Sequence, residues 1–163
     1  MLCKIDNYLR NLYRLSGYVA AVFLILVATF ILVGIASRIF GFYIRGLAEY
    51  SGYCMAASSF LALAYTFGEK GHIRITLFLE KSKKNIRRFL ELWCLFVATF
   101  FSGFLSFYFI KMLLISIKFQ ERSEGADEIL IWIPQVSVAL GSTIFFICVL
   151  HNFIILILKK NNN

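Results

Sequence analysis

The sequence predicts an all-α membrane protein with four transmembrane helices, and three observations support this fold class. Four stretches of the 163-residue chain contain no Asp, Glu, Lys or Arg: residues 15–37, 50–68, 92–110 and 129–158. A helix rises about 1.5 Å per residue, so about 20 residues cross a hydrocarbon core of ~30 Å. Hydrophobic residues make up 60% of the chain and charged residues 16%, which is too little polar material to cover a soluble protein of this size.

We expect one domain over residues 1–163, with spans at about 15–37, 47–68, 90–114 and 134–158. The short connections predict a four-helix membrane bundle. The first span is longer than the apolar core of a signal peptide, and no small-residue cleavage site follows it before Arg38. We therefore interpret it as a retained transmembrane helix.

The basic residues predict which way the spans cross. Lys and Arg accumulate on the cytoplasmic side of a membrane protein. Twelve of the 17 basic residues lie before the first span, in the second connection or at the C-terminus, which share one side of a four-span chain. We therefore expect both termini in the cytoplasm. The net charge of +8 is mostly this asymmetry, so it indicates anchoring to anionic lipids rather than nucleic-acid binding.

Two segments outside the spans have the pattern of amphipathic interfacial helices. In the N-terminal 14 residues, apolar side chains recur every three or four positions, at Leu2, Ile5, Leu9 and Leu12. In the second connection, residues 75–93 repeat this period with basic residues on the other face. Both patterns predict a helix lying in the headgroup layer. For the second connection, a solvated basic loop is the alternative.

The second span is rich in small residues, which indicates that this helix packs closely against a neighbour. Ala48, Gly52 and Ala56 are spaced by four, and small residues in lipid let helix backbones approach closely. We expect this set to pack against the chain's own helices, and a surface for a partner subunit is the alternative. The fourth span is predicted to begin near Pro134, because proline fits the first turn, with Trp132 at the membrane interface.

The sequence predicts neither an enzyme nor a cofactor or metal protein. Glu49 and Glu91 lie at span ends, and no charge lies at mid-membrane depth, where transporters that act alone need polar groups. Small membrane disulfide oxidoreductases are excluded because the outward connections contain no cysteine. Haem ligation by His72 and His151 would require His72 to enter the membrane, so we reject it.

The most distinctive segment of the sequence is FGEKGHIRITLFLE, residues 67–80. It resembles the Gly-x-His-Ile-Arg stretch in the small membrane subunit, the DctQ component, of tripartite ATP-independent periplasmic (TRAP) transporters. It also lies where that family has it, after the second span. The run 61–66, and the Trp-Ile-Pro sequence 132–134 before a span containing Gly141, are similar to the same family. Thr76 departs from the pattern, since many members have Asp there.

The resemblance implies a subunit of a bacterial inner-membrane importer. In such transporters a periplasmic solute-binding protein delivers the solute, and a large multi-span subunit moves it with a sodium gradient. The small subunit is implied to be a non-catalytic scaffold, and typical solutes are organic acids such as sialic acid or C4-dicarboxylates. The alternative function is a self-sufficient, homodimeric small transporter.

Two sets of residues are the candidates for binding partners. The interface with the large subunit or with lipid is assigned to Gly71, His72, Arg74, Ala48, Gly52, Ala56 and Trp132. Gly71 permits a tight turn, and Arg74 suits helix-end carbonyls, a carboxylate or a lipid phosphate. The outward-facing charges Arg45, Lys118, Glu121, Arg122 and Glu124 are candidates for docking the binding protein.

Overall fold

The computed structural model describes residues 2–70, 84–125 and 128–158 as four α-helices and their connections. The helices are α1 (Leu2–Ile39), α2 (Leu47–Lys70), α3 (Lys84–Phe119) and α4 (Trp132–Leu158). The only strand-like pairing in the described residues is an isolated bridge between Arg122 and Leu130. The all-helical prediction is therefore confirmed.

Three of these helices, α1, α3 and α4, are long and apolar enough to cross a membrane. The helix α2 has 24 residues, which is also sufficient length. Its serine, glycine and tyrosine residues, together with Glu49, lower its hydropathy below that of the other three. The fourth crossing therefore stays a prediction.

The helix α1 begins at Leu2 and continues without a break to Ile39. The predicted N-terminal amphipathic segment is thus helical, but it forms one rod with the first span, and its interfacial position stays a prediction. Of the second predicted interfacial helix, residues 75–93, the part 75–83 lies outside the described residues. Its last residues, from Lys84 onward, form the first turns of α3.

Residues 40–46 and 120–131 form the two connections predicted to face outward, which we call the outer connections. A residue with left-handed backbone conformation ends the helix before each of them. Gly41, with φ of 74°, follows α1, and the Phe42 N–H donates to the Ser37 carbonyl at 3.0 Å. Gln120, with φ of 50°, ends α3 in the same way, because the Glu121 N–H donates to the Ser116 carbonyl at 3.2 Å. These 6→1 hydrogen bonds are typical of the Schellman motif.

The helices pack in a row, in the order α1, α2, α4, α3. Extensive contacts join α1 to α2, α2 to α4 and α4 to α3, whereas α1 contacts α4 only slightly. The arrangement is therefore more open than the four-helix bundle expected from the sequence. The exposed surfaces of the two end helices consist largely of bulky apolar side chains.

The helix α2 lies antiparallel to α1 over most of its length. At one end, Gly68 approaches the ring of Tyr13. At the other end, the rings of Phe30 and Tyr50 lie 6.0 Å apart. These contacts are about 17 residues apart on α1, or about 26 Å, which is close to the thickness of a hydrocarbon core.

Small side chains dominate the interior of the row. The apolar residues that are almost fully buried include Ala20, Ala57, Ala64, Ala139, Cys148 and Val149. Tyr13, Ala64 and Cys148 form a cluster that joins α1, α2 and α4, and the Cys148 thiol lies 3.5 Å from the Ala64 carbonyl. The core thus depends on close approach of helices rather than on interlocking large side chains.

Candidate functional site

Hydroxyl groups inside the helices are bound within the chain. Many donate to a carbonyl three or four residues earlier in their own helix: Ser16, Thr29, Ser59, Thr66, Thr99, Ser102 and Ser142. Others join neighbouring helices. The Ser58 hydroxyl donates to the Ala20 carbonyl at 3.0 Å, and Ser106 shares a hydrogen bond of 3.1 Å with Thr143. In the described helices these hydroxyl groups therefore contribute to packing within and between helices.

Among the described residues, no three His, Cys, Asp or Glu side chains come together as a metal site. Cys54, Cys94 and Cys148 are free thiols. The candidate sites in the described part of the chain are the surfaces on which the predicted residues lie.

The first of these surfaces is the small-residue face of α2, formed by Ala48, Gly52 and Ala56. Ala48 and Gly52 are exposed and Ala56 is half-buried. A Cβ added at Gly52 would have no atom within 4 Å, so the expectation that this glycine packs within the chain is wrong. The small residues that do pack lie on another face, at Ala57 and Ala64. The set is therefore open to lipid or to another protein.

The remaining candidates for the large-subunit interface are Gly71, His72, Arg74 and Trp132. Gly71, His72 and Arg74 lie outside the described residues, so their roles stay predictions. Trp132 is the first residue of α4 and is half-buried. The helix therefore begins two residues before Pro134, which lies in the first turn as predicted.

The five charges predicted to dock a binding protein are all exposed, at the end of the helices where α4 begins: Arg45, Lys118, Glu121, Arg122 and Glu124. The Glu121 carboxylate accepts a hydrogen bond of 2.8 Å from the Ser116 hydroxyl. Arg122 and Glu128 form an exposed ion pair at 3.6 Å. The charges thus belong to one surface, made by the two outer connections and the helix ends beside them.

This outer surface is attached to α2 by contacts that the sequence did not predict. Tyr53 shares a hydrogen bond of 2.9 Å with Ser123, and the Glu49 carboxylate lies against Gly125. Arg38 and Glu49 line the same cleft of about 280 Å³ between α1 and α2. Gly125 was the feature of the sequence that could have indicated the contact with Glu49, because only a residue without a side chain leaves space for the carboxylate there.

The two end helices of the row present broad apolar faces. In the most apolar 18-residue stretch of α1, only 6% is buried within the protein, and in that of α3 only 17%. On α3, aromatic side chains project from the chain at Phe96, Phe100, Phe101, Phe104 and Phe107. Surfaces of this extent are covered by lipid or by another membrane protein.

The sequence matches one family model over residues 27–159, that of the DctQ component of tripartite ATP-independent periplasmic transporters. Neither a curated protein nor a solved structure matches the chain. The matched range includes the last part of α1, all of α2, α3 and α4, and the connections between them.

Proposed function

Since the chain belongs to the family of DctQ components, the small membrane subunits of TRAP transporters, we propose that it is the non-catalytic scaffold of a sodium-coupled importer of organic acids. Its partners are a large multi-span membrane subunit and a periplasmic solute-binding protein. The chain lies in the bacterial inner membrane, crosses it four times and keeps both termini in the cytoplasm.

The main support for the scaffold role is that serine and threonine hydroxyl groups inside the row of helices have partners within the protein, whereas the outer faces of the row are apolar. Charged residues lie toward the helix ends, and hydroxyl groups within the helices are bound to neighbouring backbone or side chains. A protein that moves a charged solute by itself needs polar groups at mid-membrane depth. The outer faces of α1 and α3 are instead broad and apolar, which suits a fixed support embedded beside a larger protein.

The crossing of α2 is supported by its neighbours. It lies between α1 and α4, both of which are apolar enough to span the membrane, and follows α1 for about 26 Å. A helix held in this position lies at the same depth as its neighbours. Its polar groups are tolerated because Ser58 and Tyr53 have partners within the protein.

The exposed face of Ala48, Gly52 and Ala56 is our first choice for contact with the large subunit. Because side chains there are small, a helix of the partner approaches closely and gains van der Waals contact. Gly71, His72, Arg74 and Trp132 extend the proposed contact at the helix ends. The outer charges, from Arg45 to Glu124, meet the binding protein when it docks.

Sodium coupling and organic-acid solutes are part of the proposal because the resemblance to TRAP transporters implies them. Sialic acid or a C4-dicarboxylate is the solute class that we expect. The choice between them lies with the binding protein and the large subunit.

Reconstitution into liposomes tests the scaffold role. We expect sodium-driven uptake when this chain, the large subunit and the binding protein are combined, and none with this chain and the binding protein alone. Circular dichroism of the chain alone provides the control for folding. Uptake without a large subunit would overturn the proposal in favour of a self-sufficient transporter.

A further inference from the structure

A basic, aromatic cleft lies between α1 and α2, at the end of the helices opposite the outer connections. It consists of two adjoining cavities of about 260 Å³ and about 510 Å³. Arg10, Tyr13, Arg14, Tyr65 and Gly68 line the smaller cavity. The larger is lined by Arg14, Gly17, Tyr18 and Tyr65. Arg14 and Tyr65 therefore line both.

Two glycines give the cleft its shape. A Cβ added at Gly17 would lie 2.7 Å from Cγ of Tyr65, so the tyrosine lies directly against the backbone of α1. On α2, a Cβ added at Gly68 would lie 3.2 Å from the ring of Tyr13. Each helix thus supplies a tyrosine that packs over a glycine of the other helix, and the arginines lie beside these packed rings.

Two arginines of α1, Arg10 and Arg14, contribute positive charge to the cleft. Arg10 and Arg14 are one turn apart on α1, and both are exposed. Guanidinium groups donate several hydrogen bonds in a fixed plane, which suits the oxygens of a phosphate group, and tyrosine hydroxyls add further donors.

The depth of the cleft places it at the headgroup layer. Arg14 is the last charged residue before the uncharged stretch 15–37 of α1. Tyr18, just beyond it, is 72% exposed, and tyrosines of this kind are enriched where the hydrocarbon meets the headgroups. Next to the cleft, α1 exposes Leu15 and Val22. A headgroup in the cleft would therefore have an apolar surface beside it for its acyl chains.

We infer that this cleft is a binding site for a phosphate group, with Arg10 and Arg14 as the anion ligands and Tyr65 as the wall between the helices. The shared chemistry fits the headgroup of an anionic phospholipid and also free phosphate from the cytoplasm. Both arginines precede residue 27, where the family match begins. Tyr65 and Gly68 lie within the matched range, and the phosphate site adds a ligand to the proposed scaffold role.

Native mass spectrometry of the full chain, released from nanodiscs of mixed phosphatidylglycerol and phosphatidylcholine, tests the site. We expect wild type to retain phosphatidylglycerol preferentially. The variant Arg10→Gln/Arg14→Gln should reduce this preference about fivefold for each arginine, or about 25-fold in total. The variant Arg45→Gln/Arg122→Gln removes the same charge from the other end and should keep the preference.

A second arm separates the two sources of phosphate. Inorganic phosphate is added to the chain in nanodiscs of phosphatidylcholine alone, and its binding is measured by isothermal titration calorimetry. Binding that is lost in the Arg10/Arg14 variant identifies free phosphate, whereas phosphatidylglycerol preference without such binding identifies the lipid. Either result supports the site.

Three outcomes would overturn the inference. One is that wild type prefers neither ligand, and another is that the Arg45/Arg122 variant loses binding equally. The third is unchanged binding in the Arg10/Arg14 variant. If circular dichroism shows that this double variant is unfolded, Arg14→Gln alone replaces it, since Arg14 lines both cavities, and a loss of about fivefold is expected.

Discussion

Gly141 of α4 lies directly against the backbone of α2 at Phe60. A Cβ added at position 141 would lie 2.8 Å from the Phe60 carbonyl carbon and 2.9 Å from the Leu61 nitrogen. Backbone atoms have little freedom to move away, unlike the end of a flexible side chain. This contact therefore sets the distance between the two central helices of the row.

The variant Gly141→Ala should destabilise the chain by about 1–2 kcal/mol. Overpacking costs about 1–3 kcal/mol, and the better helix propensity of alanine offsets up to about 1 kcal/mol of it. The measurement is reversible unfolding in mixed detergent micelles, followed by circular dichroism. Gly52→Ala is the matched control, because a Cβ at that position meets no atom within 4 Å. Equal stability of the two variants would contradict the packing described at Gly141.

The exposed glycine of α2 gives a prediction about assembly instead of folding. Gly52→Leu should leave the stability of the isolated chain nearly unchanged, because nothing within the chain is displaced. It should weaken binding to the large subunit about tenfold, since a bulky side chain at a close interface costs on the order of 1–3 kcal/mol. The affinity of the two purified subunits in detergent is the measurement.

Ala28→Leu is the control for this assembly prediction, because Ala28 is exposed on α1 and does not line the cleft that contains Ala48. It should bind the large subunit as wild type does. Equal loss of binding in both variants would mean that bulk anywhere on the chain disturbs assembly, and would remove the case for the α2 face.

Helix number and type could be predicted from this sequence, because uncharged stretches of sufficient length have few alternatives. The helix boundaries could not. Charges mark where the chain leaves the hydrocarbon, but Lys and Arg are good helix formers, so α1 continues from Leu2 and α3 extends to Phe119. The spans predicted at 15–37 and 90–114 are therefore the apolar middle parts of longer rods.

Which face of α2 packs inward could also not be predicted from the sequence. Small residues occur on several of its faces, so spacing alone favoured Ala48, Gly52 and Ala56 as the packed set. The structure buries Ala57 and Ala64 instead. The inward face is determined by contacts with residues far along the chain, such as Cys148 and Gly141. The local sequence pattern of α2 contains no information about these contacts.

The end of α3 is a site where a single substitution should stabilise the protein. Gln120 has a φ of 50°, a conformation that costs L-residues about 1–2 kcal/mol and costs glycine nothing comparable. We expect Gln120→Gly to raise the free energy of unfolding by about 0.5–1 kcal/mol, after the added entropy of the unfolded chain is subtracted. Gly41→Ala replaces the glycine at the equivalent position after α1 and should lower the free energy of unfolding. Changes of the same sign in both variants would contradict this interpretation.

Arg74 belongs to the sequence segment most similar to the TRAP family, and we expect Arg74→Ala to reduce co-purification with the large subunit. Loss of hydrogen bonds from a charged donor costs about 1.5–3 kcal/mol, or roughly tenfold or more in affinity. Lys83→Ala removes a charge from the same connection and is the control for simple anchoring to lipid. If both variants co-purify equally well, Arg74 acts only as a positive-inside residue.

The outer charges should affect how fast the binding protein docks more than how tightly it stays. Exposed rim charges steer encounter, and salt screens them over about 10 Å at 0.1 M. We expect Arg45→Gln/Arg122→Gln in the assembled transporter to slow association about three- to tenfold at low salt, measured by stopped-flow fluorescence. Near 1 M salt the rates of variant and wild type should converge, because the Debye length falls to about 3 Å. Arg10→Gln/Arg14→Gln, which changes the same charge at the opposite end of the helices, should associate at the wild-type rate. A rate difference that persists at high salt would instead indicate a direct contact broken in the docked complex.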